Sequence, residues 1–510
     1  MDLERPPSQD PSARVPPGRS LALTAALIAS FAVLVTANSA GYRFGVSDQA
    51  FYVPAVERLI TPSLFPRDAA LIDSQARLTV SDDLIARIVL ATGATLPAVF
   101  FIGYLITLTV FAGAVLRIGR RYYASVWTSA ALLFALTFRH RLLETGVNSF
   151  EGYFHPRVLA FAVGIAALAA CLDGRRVWAA VLVAIAFVVH PTTGGWFVVW
   201  IAVALVSGTR YRWSSAGAAI ALGLAGLMVL RSVAPERFAV MDDAWLEVLG
   251  SRRYLFTTNW PLSAWIVNLV PAAAVLAIYS ARLKRGLVTT GERGAVAGAA
   301  VLLAIFVVTL PFVGARVAIA IQLQISRVLW PIEFLATVYL IWAVAEGPWL
   351  PSRWTRMAPI FLFAVLAAAS TARGIYILAV ETHRPLVRVN LPDGDWQQIA
   401  TWARSSAPVD AHFLIDPTDV DREGVSFRVA AGRDVFIEPS KDPSIAMYSR
   451  EIAMRVKERQ AALPDFGLVT STMARDVAAR YGLTHLVTVR EYPFPMLFSN
   501  GRLHVYSLVR

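Results

Sequence analysis

The chain has little charge and a single cysteine. Only 16% of its 510 residues are Asp, Glu, Lys or Arg, against 56% hydrophobic. Together with repeated apolar runs over the first three quarters, that balance excludes an ordinary soluble protein and points to a polytopic membrane protein. Cys171 stands alone in an apolar run, so neither an intramolecular disulfide nor a metal–thiolate cluster can form, and it reads as a small buried hydrophobe. The polar C-terminal part has no Gly-rich phosphate loop, no His/Cys metal spacing and no nucleophile elbow. No internal repeat is visible, which removes the usual mark of a transporter built from two halves.

A net charge of +12 would suggest nucleic acid as partner in a soluble protein. Here the excess sits in short loops between apolar runs: Arg117/Arg120/Arg121, Arg175/Arg176, Arg210/Arg212, Arg282/Lys284/Arg285/Arg293 and Arg353/Arg356. Basic short loops mark the cytoplasmic side of a membrane, so the surplus reads as topology and no nucleic-acid partner is expected. Residues 1–20 are rich in Pro, Ser, Arg and Asp without apolar period and read as a disordered cytoplasmic tail. A first span runs from Leu21 to about Ala40, too long for a signal-peptide core. Spans near 93–116, 122–138, 157–173, 177–190, 195–208, 214–231, 260–281, 294–313, 328–346 and 357–380 follow. The transmembrane domain over 21–380 thus holds about eleven helices, with every basic short loop on the cytoplasmic side. Loops 41–84, 139–157 and 231–259 fall outside, and the protein is expected in the plasma membrane. The semi-apolar stretch 313–326 reads as interfacial or re-entrant.

The stretch 41–84 organises this arrangement. Asp48 lies about eight residues past the first span, and apolar residues recur from Gln49 to Ile60 at helical spacing. They predict a short helix lying along the bilayer interface, holding Asp48 at the mouth of a membrane cavity. The second outer loop crowds Glu144, Glu151 and His155 with two aromatics into one turn, followed by Arg157. Between Arg176 and Arg210 only about thirty residues serve two crossings and a turn, where a full crossing wants about 20 each. The turn at His190-Pro191 and Gly194-Gly195 is therefore expected below the outer surface, tolerated where protein or a watery cavity satisfies its backbone. His190 either faces that cavity or caps the end of its helix. Arg327 and Glu333, near the start of the tenth span, are too far apart for an i, i+4 pair. Arg327 is either an anion holder or a residue that snorkels to the headgroups.

Past residue 380 the composition changes. Residues 381–510 alternate helical and strand signals: helices over 393–406, 444–463 and 472–482, and strands at 412–416, 434–439, 484–489 and 502–509. This predicts a small extracytoplasmic α/β domain.

This layout resembles the GT-C superfamily, the multi-spanning glycosyltransferases that use polyprenyl-phosphate-linked sugars, such as the protein mannosyltransferases, the aminoarabinose transferase and the oligosaccharyltransferases. The likeness rests on the N-terminal span, the long first loop with an early acidic residue (Asp48), a second acidic loop (Glu144, Glu151), about eleven spans and the C-terminal α/β domain. The region 41–73 and the two His-Pro pairs (155–156 and 190–191) also look like those of bacterial membrane proteins of this layout. The family commonly pairs two early acids, whereas this chain reads Ser47-Asp48-Gln49 with no DxD. That departure leaves a divalent metal ion open as cofactor. The resemblance implies sugar transfer from a polyprenyl-phosphate donor to an extracytoplasmic acceptor, with Asp48 as base, and His155, Arg157, His190 or Arg327 at the donor phosphate. Membrane lipids are the other expected partner, and no oligomeric state follows. Two alternatives stand beside this reading: a non-catalytic assembly protein with a degenerate site, and a lipid or solute transporter.

Overall fold

The computed structural model describes residues 17–207, 223, 225–351, 354–463 and 465–509. Six helices are long and apolar enough to cross a membrane, among them Leu96–Tyr122, Leu262–Lys284 and Thr290–Gly314, and four shorter apolar helices accompany them. The chain is a multi-pass membrane protein. The helix order begins with α1 (Pro17–Asn38), α2 (Gln49–Ile60), α3 (Ala69–Ala76), α4 (Ser81–Thr92), α5 (Leu96–Tyr122) and α6 (Val126–Ala135). It continues with α7 (Pro156–Leu172), α8 (Arg176–Val189), α9 (Pro191–Ser207), α10 (Asp243–Leu249), α11 (Leu262–Lys284) and α12 (Thr290–Gly314). Then follow α13 (Leu329–Glu346) and α14 (Ala358–Tyr376). Most of the span expected over 214–231, the Arg210/Arg212 loop and most of the N-terminal tail lie outside the described residues. The count of eleven therefore gives way to six long and four short apolar helices among those described. Within and just past the stretch 313–326 stand a short helix, Ala318–Gln322, and a 3-10 turn, Ile325–Val328, both largely buried.

Aromatic packing joins the bundle. Phe161 of α7 stacks on Trp330 of α13 at 3.7 Å and 10°, and Gly164 lets the Phe197 ring of α9 approach closely, since a Cβ there would stand 2.4 Å from it. At one end Asp173 takes ion pairs from Arg117 and Arg121, and Glu346 accepts from the backbone N–H groups of Ala124 and Ser125 at 2.9 Å. The opposite end carries the 41–84 segment and the C-terminal domain. There β1 (Tyr42–Arg43), just past α1, pairs in parallel with β4 (Val387–Arg388), just past α14. A small hairpin, β2 (Arg141–Leu142) and β3 (Val147–Asn148), closes the loop between α6 and α7.

The C-terminal domain holds a five-stranded sheet of β5 (His412–Leu414), β6 (Asp434–Val435), β7 (His485–Thr488), β8 (Met496–Ser499) and β9 (His504–Ser507), in the order β6-β5-β7-β9-β8. The first three strands run parallel, and β9 and β8 add on antiparallel. Helix α15 (Asp395–Ser406) buries Trp396, Ile399, Ala400 and Ala403, and α16 (Phe427–Ala431), α17 (Arg450–Ala462) and α18 (Ser471–Tyr481) complete the domain. The single long helix expected over 444–463 is broken: Ser449 turns extended and accepts from the Ile452 N–H, capping α17, while Ala446–Tyr448 forms a separate turn.

Helix α2 has the expected bounds but a different neighbour. Its apolar side, including Tyr52, Val53 and Val56, is buried against α3, α4 and α16, so protein rather than lipid covers it. The C-terminal domain is fastened there by a buried ion cluster. Arg428 of α16 reaches Asp68 at 2.7 Å, Asp442 at 2.6 Å and Glu438 at 3.3 Å, and Arg455 and Arg459 also pair with Asp68.

Candidate functional site

Asp48 ends a tight turn. Gly45 has φ +79°, and a Cβ there would meet Leu391 at 2.6 Å; Ser47 follows at φ +54°, a region that L-residues seldom enter. The buried Gln49 side chain fixes the turn, accepting from Gly45 N–H at 2.7 Å and donating to the Phe154 carbonyl at 3.0 Å. Asp48 precedes α2, yet its side chain does not bond the helix N-terminus, which leaves both carboxylate oxygens for the cavity.

The second loop supplies the partners. Pro156 starts α7, and His155 caps it: the Arg157 backbone N–H donates to His155 Nδ1 at 3.1 Å. With Nδ1 an acceptor, the proton of the neutral ring lies on Nε2, which donates to Asp48 Oδ2 at 3.2 Å. The Arg157 guanidinium stands between two carboxylates, 3.3 Å from Glu151 and 4.0 Å from Asp48. Asn148 also donates to Glu151 at 3.1 Å. From the C-terminal domain Lys441 reaches Asp48 Oδ1 at 3.4 Å, on a segment whose Ser440 carbonyl accepts from Arg252 at 2.7 Å. His155 and Arg157 are 2% and 4% exposed, against 32% for Asp48. Asp48, with Lys441 beside it at 20% exposed, is the part of this group that a solute can touch.

The electrostatics favour an anion at Asp48. Burial opposes ionisation, but Lys441, the His155 hydrogen bond and Arg157 outweigh it and hold the carboxyl well below its usual range. Burial and the Arg157 charge bring His155 down to about 4 against the pull of Asp48, so the ring stays neutral at neutral pH. Burial raises the Glu151 carboxyl despite Arg157.

A polar cavity of about 200 Å³ is lined by Asp48, His155, Arg157, His190, Arg327 and Lys441. His190 follows α8, but its side chain caps the start of α9 and not the end of its own helix: its Nδ1 accepts from the Thr193 N–H at 3.2 Å, and its ring faces that of His155 at 6.3 Å. Arg327, on the turn before α13, forms no ion pair within 4.0 Å among the described residues, and its buried Nε has no partner. Glu333 is paired elsewhere, with His140 at 2.6 Å. Glu144 pairs with Arg253 at 3.6 Å and does not line the cavity. An adjoining cavity of about 520 Å³ has Phe187, Trp196, Leu230, Ile319 and Leu323 on its walls. The two cavities share Tyr52, Gln75, His190 and Tyr448.

The donor set does not suit a divalent cation. Hard cations want several oxygens, whereas Asp48 is ringed by Lys441, Arg157 and a neutral imidazole donor. Among the described residues no group of three or more His, Cys, Asp or Glu is arranged to hold a metal ion.

The chain is similar in fold to archaeal oligosaccharyltransferases. The Archaeoglobus fulgidus oligosaccharyltransferase in its apo form matches at 12% identity and a TM-score of 0.45, over 91% of this chain and 69% of that one. The oligosaccharyltransferase AglB of the same organism, solved with an inhibitory peptide and a dolichol-phosphate, matches at 12% identity and 0.45 over 92% and 69%. A likeness at this level carries no chemistry from those enzymes to this chain. No family model and no curated protein matches its sequence.

Sequence reasoning missed Lys441, Arg252 and Tyr448. Lys441 is 393 positions from Asp48, in the C-terminal α/β domain, and no local pattern marks it. Tyr448 sits in the Ala446–Tyr448 turn, where the periodicity predicts helix interior.

Proposed function

We propose that the protein is a membrane glycosyltransferase of GT-C type, moving a sugar from a polyprenyl-phosphate donor to an acceptor on the extracytoplasmic side. The observation that carries this reading is the juxtaposition of the cavities: an ionised Asp48 beside the unpaired Arg327 guanidinium, opening onto an apolar chamber of about 520 Å³. The chamber suits the first isoprene units of a lipid tail, and the polar side suits its phosphate and sugar.

In the transfer, an acceptor O–H or N–H attacks the anomeric carbon as the bond from that carbon to the donor phosphate oxygen breaks. The acceptor proton passes to an Asp48 carboxylate oxygen, and the phosphate leaves as an anion. A carboxyl held so acidic is a weak base, so its part is to orient the acceptor and take the proton late, as the new bond forms. Arg327 and Arg157 face the leaving phosphate, which guanidinium forks match in shape and charge. The His155 N–H fixes the Asp48 rotamer. Lys441 occupies the oxygen that an acceptor would approach, and substrate displaces it.

The test uses the purified protein in lipid nanodiscs, a panel of polyprenyl-phosphate sugars, and mass-spectrometric detection of released polyprenyl phosphate. Release that falls at least a hundredfold in Asp48→Asn, with thermal stability kept, supports the reading. Equal release by wild type and Asp48→Asn refutes it, and binding of polyprenyl phosphate that ignores Arg327→Gln removes the phosphate assignment.

A further inference from the structure

A second polar cavity, of about 190 Å³, opens where β1 and β4 meet the C-terminal domain, and it shares no lining residue with the Asp48 cavity. The parallel register sets Arg43 directly beside Arg388. Like charges facing each other across a strand pair weaken it, and Arg384 and Arg422 line the same cleft. Part of the charge is answered: Arg422 pairs with Asp419 at 2.7 Å, and Glu423, also on the wall, pairs with Arg502 at 3.6 Å. Asp393 stands exposed at the rim. Arg43, Arg384 and Arg388 form no ion pair within 4.0 Å among the described residues.

Nor is water a full substitute. Burial, with the nearby charges of Arg384, Arg388 and Arg139, pulls the Arg43 guanidinium down to about 10. Two short strands that join the first and last described membrane helices are thus built around a repulsion. A bound anion would turn that repulsion into a three-way clamp.

We propose that this cleft binds a phosphate group, held between the guanidinium groups of Arg43, Arg384 and Arg388. Arginine forks donate two parallel hydrogen bonds to phosphate oxygens, and several converging forks suit a phosphate better than a carboxylate. The phosphate has two sources, the headgroup of an anionic phospholipid and free inorganic phosphate. The position favours the lipid: Arg43 lies five residues past α1, and Arg384 and Arg388 lie 8 and 12 residues past α14, near the exposed Ile375, Tyr376 and Val380, so a headgroup in the cleft leaves its chains beside apolar side chains.

The experiment uses the full chain, delipidated in neutral detergent, and titrates short-chain phosphatidylglycerol, phosphatidylcholine of equal chain length and inorganic phosphate, with bound species counted by native mass spectrometry. Wild type should bind one phosphatidylglycerol at least tenfold more tightly than phosphatidylcholine, and Arg388→Gln and the Arg43→Gln/Arg388→Gln pair should lose that preference while Arg293→Gln, exposed in the first turn of α12, keeps it. Inorganic phosphate bound with the same variant dependence, and no lipid preference, assigns the site to free phosphate. A thermal melt without added anion supplies the second readout. Relief of the repulsion should make Arg388→Gln at least as stable as wild type, and phosphate or phosphatidylglycerol should stabilise wild type alone. Affinities for both probes within twofold across all variants overturn the proposal, as does a loss of stability in Arg388→Gln that neither probe affects.

Discussion

Among the described residues Asp82 is a buried acid without a partner, and it should make the protein less stable as pH rises. It lies in the first turn of α4, 2% exposed, with Oδ1 making no hydrogen bond. Burial, with the Asp83 charge beside it, raises its carboxyl from 3.8 to about 8. The folded chain therefore keeps a proton that the unfolded chain releases, so stability is unaffected below pH ~4, declines as pH rises, and levels off above pH ~8. At about 1.36 kcal/mol per pH unit, the penalty is roughly 2 kcal/mol at pH 5 and roughly 6 kcal/mol at pH 8.5. The helix N-terminus favours the anion by about 0.3–1 kcal/mol and trims the figure at pH 8.5 but not that at pH 5, where the folded carboxyl is still protonated. Asp82→Asn keeps the shape and removes the titration. Its advantage over wild type, measured by unfolding in mixed micelles with increasing sodium dodecyl sulfate, should grow by about 4 kcal/mol between pH 5 and pH 8.5. An advantage that does not change with pH would refute the reasoning, because a packing effect of the amide carries no such dependence.

Other perturbations test the joints around the site. Arg428→Met leaves Asp68, Glu438 and Asp442 buried without their shared cation and should cost about 3–5 kcal/mol, read as faster trypsin cleavage between the membrane helices and the C-terminal domain. Burial works against the Asp68 anion, but Arg428, Arg455 and Arg459 hold its carboxyl below the ordinary range. The wild-type advantage should therefore begin to decline as the pH falls below ~4 and disappear only well below that, once the folded carboxyl itself takes up a proton. Lys441→Met removes the foremost of the groups that stabilise the Asp48 anion, so that carboxyl should titrate at higher pH, seen as an upward shift of the Asp48-dependent carboxylate band in difference infrared spectra. No shift would mean that His155 and Arg157 suffice.

What could be read in advance followed from local periodicity. Helix α2 was expected over Gln49–Ile60 and has those bounds, because its apolar residues repeat every three or four positions whatever covers them. The cover itself was not legible: α16 lies far along the chain, and a stripe of Tyr52, Val53 and Val56 looks the same facing lipid or protein. His155 and Arg157 came into view because one turn crowded them together, while their grouping with Lys441 depended on how a whole domain docks. Strand β8 escaped notice because it follows the turn-rich 491–495 and leaves Met496 and Leu497 exposed, without the alternation of a half-buried strand. The break before α17 was masked by Ile445, Ala446 and Met447, whose apolar run continues the helical pattern through the cap.

The contribution of Lys441 and Tyr448 to the Asp48 cavity has a consequence for biosynthesis. Translation proceeds from the N-terminus, so Asp48 emerges with the first loop and stands without its wall until residue 448 has been made and the C-terminal domain has folded onto α2. Asp68 waits through the same interval for Arg428. A half-made chain inserted in the membrane therefore has the helices but no enclosed site, and completion of the cavity coincides with closure of the ion cluster. Order of synthesis thereby sets the order of assembly, with the polar chamber formed only once the domain over 381–510 is in place.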